Sequence, residues 1–482
     1  MSVGVISLVV WLVLVFLSVT AGIEKNWHQK LTSLHAPIRI SPTDPYYASY
    51  YYQIDGLAAA SNFTLKTVGE KQLSPLSDPY AVDLDAEVPF YWPKADRAPS
   101  GTLRDPVKLA IQELAKIPHI AFQDYEIGGA LLRLNLRRSA AEPPASLSQM
   151  SYLLSLTEEN PHFRSLVLDS GSPMDFDEPP ETPPQSVYFV KGKCHLPEIG
   201  LDTPVLLPKN YRENGVQIGD KGALSYSAPT AASSQEQRIP IRVVGFYDPG
   251  IMSVGNKCLI VPTSVTRSIH AVSQTFSPDG TPTNGLFVWT EDLSQTQEIK
   301  AKIAERFAEA GISNYWKIAS YDEFEFSKDL MLQFRSDRTL FLLIAIIILV
   351  VACSNIISLL VLLVNDKKKE IAILQSMGAS FLSIASIFGI CGISMGAISC
   401  LLGGSLALFT LKHLDSLVAF LSAIQGHAAF NPAFFGQTLP NEFSFEALLF
   451  VLIATPILSL AAGLIPAFKA SRIRPSSVLR SE

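Results

Sequence analysis

The chain has 482 residues, 48% hydrophobic and 17% charged, with a formal net charge of −6. That length leaves room for several structural units, and a positive mean hydropathy fits a chain that is part membrane and part soluble. Residues 1–337 carry 29 Lys and Arg against 38 Asp and Glu, net −9, and residues 338–482 carry 9 against 6, net +3, with no basic stripe for nucleic acid.

The first element is an apolar run over residues 3–21. It is longer than a typical signal-peptide core and no basic residue precedes it. An uncleaved transmembrane helix over residues 1–22 is expected, although Val19, Thr20 and Ala21 would suit a cleavage site. The helix should continue past Trp27 and Leu31 and break at Pro37. Residues 23–337 then read as a large α+β domain. Tyr46, Tyr47, Tyr50, Tyr51 and Tyr52 cluster there, for packing or for surface contact. Asp105 and Pro106 open a helix that runs to about Ala115. Residues 142–144 and 175–184 are rich in proline and acid and read as exposed loops. The second lacks the ligand spacing and turn glycine of a calcium loop.

Residues 187–190, 205–207, 239–246, 258–261 and 285–290 are β-branched or aromatic runs between Gly, Pro and Asn, and predict strands. Residues 292–310 predict a helix, with Ile299, Ile303 and Phe307 every four positions and Gly311 closing it. Cys194 and Cys258 lie in this domain, where a disulfide is chemically permitted and spacing does not fix it. Residues 320–338 read as a helical shaft into the next apolar stretch.

Three more stretches are long enough to cross a bilayer at ~20 residues each: residues 338–364, 381–411 and 445–468. Between them lie a short segment, 365–380, and a loop, 412–444, and residues 469–482 form a tail. Asn355 is the notable polar residue of the second span. It would line a path or bond a neighbouring helix, and helix contact is the reading taken. In the third span Gly392, Gly396, Ser399 and Gly403 are spaced for close helix packing. Residues 392–396 also fit G-x-S-x-G, but no acid or histidine accompanies them and the motif needs a strand-to-helix elbow. Cys353, Cys391 and Cys400 serve as small apolar residues, and Pro456 predicts a kink. Lys367, Lys368, Lys369, Lys469, Arg472, Arg474 and Arg480 contrast with the single Lys412 between the last two spans. The positive-inside rule therefore puts both termini in the cytoplasm and the large domain outside.

The segment after the second span predicts a short helix over residues 371–379. Ile371, Leu374 and Gly378 fall on one side, Ile373 and Met377 widen it, and Gly378 suits the C-cap. Held between two spans, it would transmit force from a partner, or it is an ordinary hairpin loop. The residues alone leave both readings standing.

N-I-I-S-L followed by K-K-K-E-I-A-I-L-Q-S-M-G-A resembles permeases of the macrolide-exporter and cell-division superfamily of ABC transporters, and within it the lipoprotein-releasing (LolC/LolE-type) family. G-L-I-P-A-F-K-A at residues 463–470, with Arg474, Pro475 and the final V-L-R-S-E, resembles the family's C-terminal signature. The resemblance is strong over residues 338–482, moderate at the first span and diffuse over the outer domain. It implies an α-helical membrane protein with four transmembrane helices and a large extracytoplasmic α+β domain. It makes the short helix a coupling helix that docks on an ATPase subunit, with Glu370, Ile373, Leu374 and Gly378 at matching positions and Ile371 and Met377 completing the surface. The family's short basic segment before the first span is missing here, so an upstream start or a loss of that segment is expected.

The implied protein is a non-catalytic permease subunit of the bacterial inner membrane, with its large domain in the periplasm. It binds no cofactor or metal itself; ATP is bound on a partner ABC subunit. Its other implied partners are a second permease, identical or related, membrane lipid, a lipoprotein substrate and a periplasmic lipoprotein carrier. The sequence has no phosphate-cradling G-x-x-x-x-G-K-[ST] loop and no H-E-x-x-H zinc motif. A cell-division-type regulator of a periplasmic hydrolase and an exporter of drugs or peptides are the alternatives.

Overall fold

The structure is a computed structural model that describes residues 2–78, 88–136, 145–156, 160–167, 174–180, 184, 186–197, 200–229, 233–249, 257–271, 283–426 and 443–471. The acidic stretch 142–144, much of 181–185 and the tail with Arg472, Arg474 and Arg480 lie outside these residues. The chain divides into two compact units, Met1–His28 with Leu330–Glu482, and Gln29–Asp329. The principal helices are α1 Ser2–Leu34, α2 Val68–Leu73, α3 Pro106–Ala115, α4 Thr263–His270, α5 Thr296–Glu309, α6 Glu325–Asp366, α7 Lys368–Ser376, α8 Phe381–Lys412, α9 Leu414–Gln425 and α10 Phe445–Ser471.

In the unit Gln29–Asp329, two sheets share one strand. The strands are β1 Ile38–Pro42, β2 Ile120–Leu136, β3 Ala145–Ser155, β4 Met174–Phe176, β5 Tyr188–Val190, β6 Lys193–His195, β7 Thr203–Pro208, β8 Lys221–Pro229, β9 Ser234–Tyr247, β10 Cys258–Val261, β11 Asn284–Thr290 and β12 Trp316–Ser320. The first half of β2 closes a four-stranded sheet in the order β12-β1-β11-β2. Its second half enters a ring, β2-β3-β10-β7-β9-β8, in which β8 pairs back onto β2. Six strands thus close on themselves and leave no free edge within that barrel. A separate small sheet, β4-β5-β6, takes up residues 174–176 at the start of the acidic stretch, so the expected loop begins as a strand.

Side-chain alternation explains both cores. Along β2, Ala130, Leu132, Leu134 and Leu136 point into the barrel beside Val205, Leu224, Ile241 and Leu259, while Arg133 and Asn135 face out. A bulge where β7 meets β9 changes the parity of β9: Val243 faces the barrel, and Val244 and Tyr247 face the neighbouring core. In the four-stranded sheet, Leu286 and Val288 pack under α3 and α5, and Phe287 and Trp289 pack on the opposite face. Both faces of β11 are covered, which is why it reads as an unbroken apolar run.

The tyrosine cluster is mostly core. Tyr46, Tyr50 and Tyr51 are buried with Val107, Ile303 and Phe307. A buried Lys71–Asp55 ion pair lies among them, with the Lys71 ammonium 3.9 Å from the Tyr51 ring centroid. α3 starts as its sequence requires: Asp105 Oδ1 accepts hydrogen bonds from the backbone N–H of Val107 and Lys108 at 3.1 and 3.0 Å. Cys194 and Cys258 are both buried and are not joined in a disulfide. Burial pushes the Cys258 thiol up to about 12, which keeps it protonated and unreactive.

In the other unit, α1, α6, α8 and α10 contain four stretches long and apolar enough to cross a membrane: Val3–Lys25, Ser336–Asp366, Ser386–Lys412 and Phe445–Pro466. α8 and α10 run antiparallel in close contact. A Cβ at Gly392 would fall 2.6 Å from the Ser459 carbonyl oxygen, and one at Gly396 would fall 2.8 Å from Ser459 Oγ. α1 runs parallel to the later part of α8: Ser399 Oγ donates to the Val3 carbonyl at 3.3 Å and Trp11 Nε1 donates to Thr410 Oγ1 at 2.9 Å. Between these contacts, a Cβ at Gly403 would fall 2.5 Å from the Ser7 carbonyl oxygen. Absence of side chains is what lets the three backbones approach. Pro456 and Pro466 both lie inside α10. The loop expected over residues 412–444 holds a twelve-residue helix, α9.

Candidate functional site

α7 follows α6 almost without a break. The Lys367 N–H donates to the Leu363 carbonyl at 2.9 Å and the Ile371 N–H donates to the Lys367 carbonyl at 3.0 Å. The helix has the expected nine residues but starts three positions earlier, at Lys368. At the other end Gly378 adopts φ +93°. This left-handed turn lets the Ala379 N–H donate to the Leu374 carbonyl at 3.0 Å, a Schellman closure that needs glycine at that position. Ser380 then caps α8, its Oγ accepting from the Ser383 N–H at 3.2 Å. α7 is therefore fixed at both ends by short, hydrogen-bonded joints to two membrane helices.

The two sides of α7 differ. Ile371 and Ala372 are buried, 6% and 0% exposed, and Ile371 belongs to the same core as Val364, Phe388 and Ala462. Ile373, Leu374 and Met377 point away from that core, at 47%, 44% and 79% exposed. The expected grouping of Ile371 with Leu374 is thus corrected: Ile371 anchors the helix to the spans, and the outward stripe is Ile373, Leu374 and Met377. Glu370 is exposed and holds Lys367 Nζ at 2.6 Å. Lys368 and Lys369 are also exposed, so the stripe is bordered by cations. The arrangement is an apolar contact surface with a charged rim, on a helix that cannot move without its two spans.

The remaining singled-out residues lie elsewhere. Gly392, Gly396 and Gly403 sit at the helix contacts described above. Asn355 does not bond a neighbouring helix among the described residues: it is exposed on α6, beside exposed Ser354 and Ser358. A polar patch therefore lies on the outer surface of an otherwise apolar span. Ser394 of the G-x-S-x-G sequence donates to the Cys391 carbonyl at 3.0 Å within its own helix, an arrangement with no nucleophilic character. Among the described residues no group of three His, Cys, Asp or Glu is placed to hold a metal ion.

Residues 342–475 match the FtsX-like permease C-terminal family. The chain is 33% identical over 145 residues to a lipoprotein-releasing system transmembrane protein LolE of Haemophilus influenzae, covering 30% of this chain and 35% of that protein. It is 37% identical over 131 residues to LolC of the same organism, covering 27% of this chain and 30% of that protein. A LolC of Xylella fastidiosa is 22% identical over 273 residues, covering 56% of this chain and 62% of that protein. The matched stretch thus spans about a third of the length of the first two relatives. The matched family region contains α7, the apolar stretches Ser386–Lys412 and Phe445–Pro466, and most of Ser336–Asp366. The chain thus carries an FtsX-like permease C-terminal domain over residues 342–475 and has homology to the LolC/LolE lipoprotein-releasing permeases.

Proposed function

We propose that this chain is the permease subunit of an ATP-driven complex that extracts lipoproteins from the bacterial inner membrane. It pairs with a second permease and hands its cargo to a periplasmic carrier. ATP binds a separate ABC subunit, and α7 is the coupling helix that docks on it. The large unit Gln29–Asp329 lies in the periplasm. The observation that carries this reading is the exposed stripe Ile373, Leu374 and Met377 on a helix joined rigidly to two spans. A partner that moves α7 must move α6 and α8 with it. The names of the relatives support lipoprotein as the cargo. Energetics support the need for ATP: each acyl methylene withdrawn from the bilayer costs about 0.8 kcal/mol, so a lipid-anchored protein does not leave unaided.

The test is Leu374→Asp in the complex reconstituted with its ATPase subunit. Leu374 is exposed in this chain, so the variant folds and inserts. At a docked interface the new carboxylate is buried without a partner, which is strongly unfavourable. Loss of ATPase-subunit binding, of substrate-stimulated ATP hydrolysis and of lipoprotein release is expected. Wild-type levels of all three remove the coupling role. A complex that couples ATP hydrolysis but releases no lipoprotein favours the regulator of a periplasmic hydrolase instead.

A further inference from the structure

α9, Leu414–Gln425, follows directly on α8 and is not used by the coupling mechanism. Its twelve residues span about 18 Å at 1.5 Å per residue, too short to cross a hydrocarbon core of about 30 Å. His413 breaks the helix between α8 and α9 with φ −113° and ψ 25°, and Gly426 ends α9 at φ +72°. Leu414 is buried, and Val418 and Ser422 are half-buried, on the side turned toward its own unit. Leu417, Phe420 and Ile424 recur at helical spacing on another side, at 42%, 63% and 69% exposed. Ser416, Ala419 and Ala423, exposed but small or polar, occupy the remaining side.

The level of α9 along the unit follows from three contacts. Thr410, just before α9, receives the Trp11 indole N–H, and the Ser444 N–H, just before α10, donates to Ser18 Oγ at 3.4 Å. Phe16 of α1 meets Phe341 of α6 edge-on, ring centroids 5.0 Å apart. Both ends of the α8–α10 connection, and the start of the apolar part of α6, therefore sit at one end of the membrane helices. The exposed apolar surface of α8, with Leu402, Leu406 and Phe409 at 52%, 48% and 63% exposed, runs up to this point. The stripe on α9 follows that exposed apolar surface along the chain, just past Lys412, where the span ends.

We propose that α9 is an interfacial helix whose Leu417, Phe420 and Ile424 side chains insert among the acyl chains at the membrane surface. The occupant of this face is lipid, not a second protein. An exposed apolar stripe beside a face of small residues, a position at the end of a span, and a length below that of a crossing fit a helix lying at the bilayer surface rather than through it. The inference does not depend on the transport reading, because it requires only that the four spans lie in a bilayer.

The test places single cysteines at Ser416, Val418, Phe420 and Ile424 of the full chain in phospholipid nanodiscs. Each is labelled with a nitroxide, and the signal of the equally treated unsubstituted protein is subtracted. Power saturation compares collisions with oxygen, which concentrates in the acyl region, and with a water-soluble nickel chelate. Labels at positions 420 and 424 are expected to favour oxygen over nickel at least several-fold, position 416 to show the reverse, and position 418 to be shielded from both. Nickel accessibility at 420 and 424 equal to that at 416 overturns the proposal by putting the stripe in water. Shielding of 420 and 424 from both reagents also overturns it, by showing that protein covers the stripe. Repeating the measurement on chain carrying Leu374→Asp should leave the pattern unchanged, so failure of coupling and failure of this inference are read separately.

Discussion

Ile371 and Leu374 lie three positions apart on α7 and have opposite environments, 6% and 44% exposed. The same substitution at the two sites should therefore give different defects. Ile371→Asp puts a charge into the core shared with Val364 and Phe388, so it is expected to lower the yield and the thermal midpoint of the detergent-solubilised chain itself. Leu374→Asp is expected to leave that midpoint within about 1 °C of wild type, a surface change being worth about 0.5 kcal/mol or less. Equal midpoints for both variants would show that Ile371 is not the anchor. A second residue-scale effect concerns His35. It is buried beside the Phe287 ring, and burial followed by the nearby Arg39 guanidinium pushes its imidazole down to about 3. Arg39 is itself buried, its guanidinium carbon 4.6 Å from the Phe324 ring centroid. A base whose pKa is depressed by folding stays neutral in the native state, while the unfolded chain takes up a proton below about 6.5. Stability from this residue is thus fully present above that pH and is lost as pH falls toward 3. His35→Gln should flatten the dependence of the unfolding midpoint on pH between about 6 and 4; an unchanged slope would exclude His35 as its source.

At the scale of elements, close helix packing makes a sharp distinction between glycines of α8. A Cβ at Gly392 meets the backbone oxygen of Ser459 at 2.6 Å, whereas one at Gly404 meets nothing within 4 Å. Gly392→Ala should push α8 from α10 and destabilise by about 1–3 kcal/mol. Gly404→Ala should be neutral or stabilise by up to about 1 kcal/mol through helix propensity. Thermal unfolding in one detergent checks both, and equal effects would remove the packing argument. The spacing of Gly392, Gly396 and Gly403 made this contact legible, because small residues at four- and seven-residue steps fall on one helix face. The apolar runs of β7, β9, β10 and β11 were legible for a similar reason: each is buried on at least one side by local pattern alone. The long strand β2 was not, since Gln123, Asp124 and Glu126 and the glycine pair at 128–129 break up its apolar residues. Its identity comes from pairing with β11, β3 and β8 along its length, a property of distant sequence. α7 was legible as a helix but three residues out of place, because the charged run at residues 367–370, read as a membrane exit, supplies its first turn. α9 was hidden in a loop whose end points were set by hydropathy, which does not register a short helix lying beside a span.

For the whole molecule, charge and architecture bear on one question, which side of the membrane each unit occupies. Lys367, Lys368 and Lys369 stand exposed at the junction of α6 and α7, while from the end of α8 to the start of α10 the sequence carries only Lys412. Short loops with several cations stay in the cytoplasm, and long domains translocate largely regardless of their charge. By this rule we propose that the junction of α7 faces the cytoplasm. With α6 long enough to cross once, the same proposal expects the unit Gln29–Asp329 on the other side. Its net −9 over residues 1–337 neither helps nor opposes that assignment, being carried by a long domain. Ser233 lies exposed in the large unit and Met377 is 79% exposed on α7, so each accepts a cysteine without disturbing a core. In intact spheroplasts Ser233→Cys should react with a membrane-impermeant maleimide and Met377→Cys should not, and permeabilisation should bring Met377→Cys to the same level. The buried thiols Cys194 and Cys258 should stay unlabelled in both cases, giving a low background. Labelling of Met377→Cys without permeabilisation would invert the assignment. It would also put α7 out of reach of any cytoplasmic ATPase, whatever the outcome for the isolated helix.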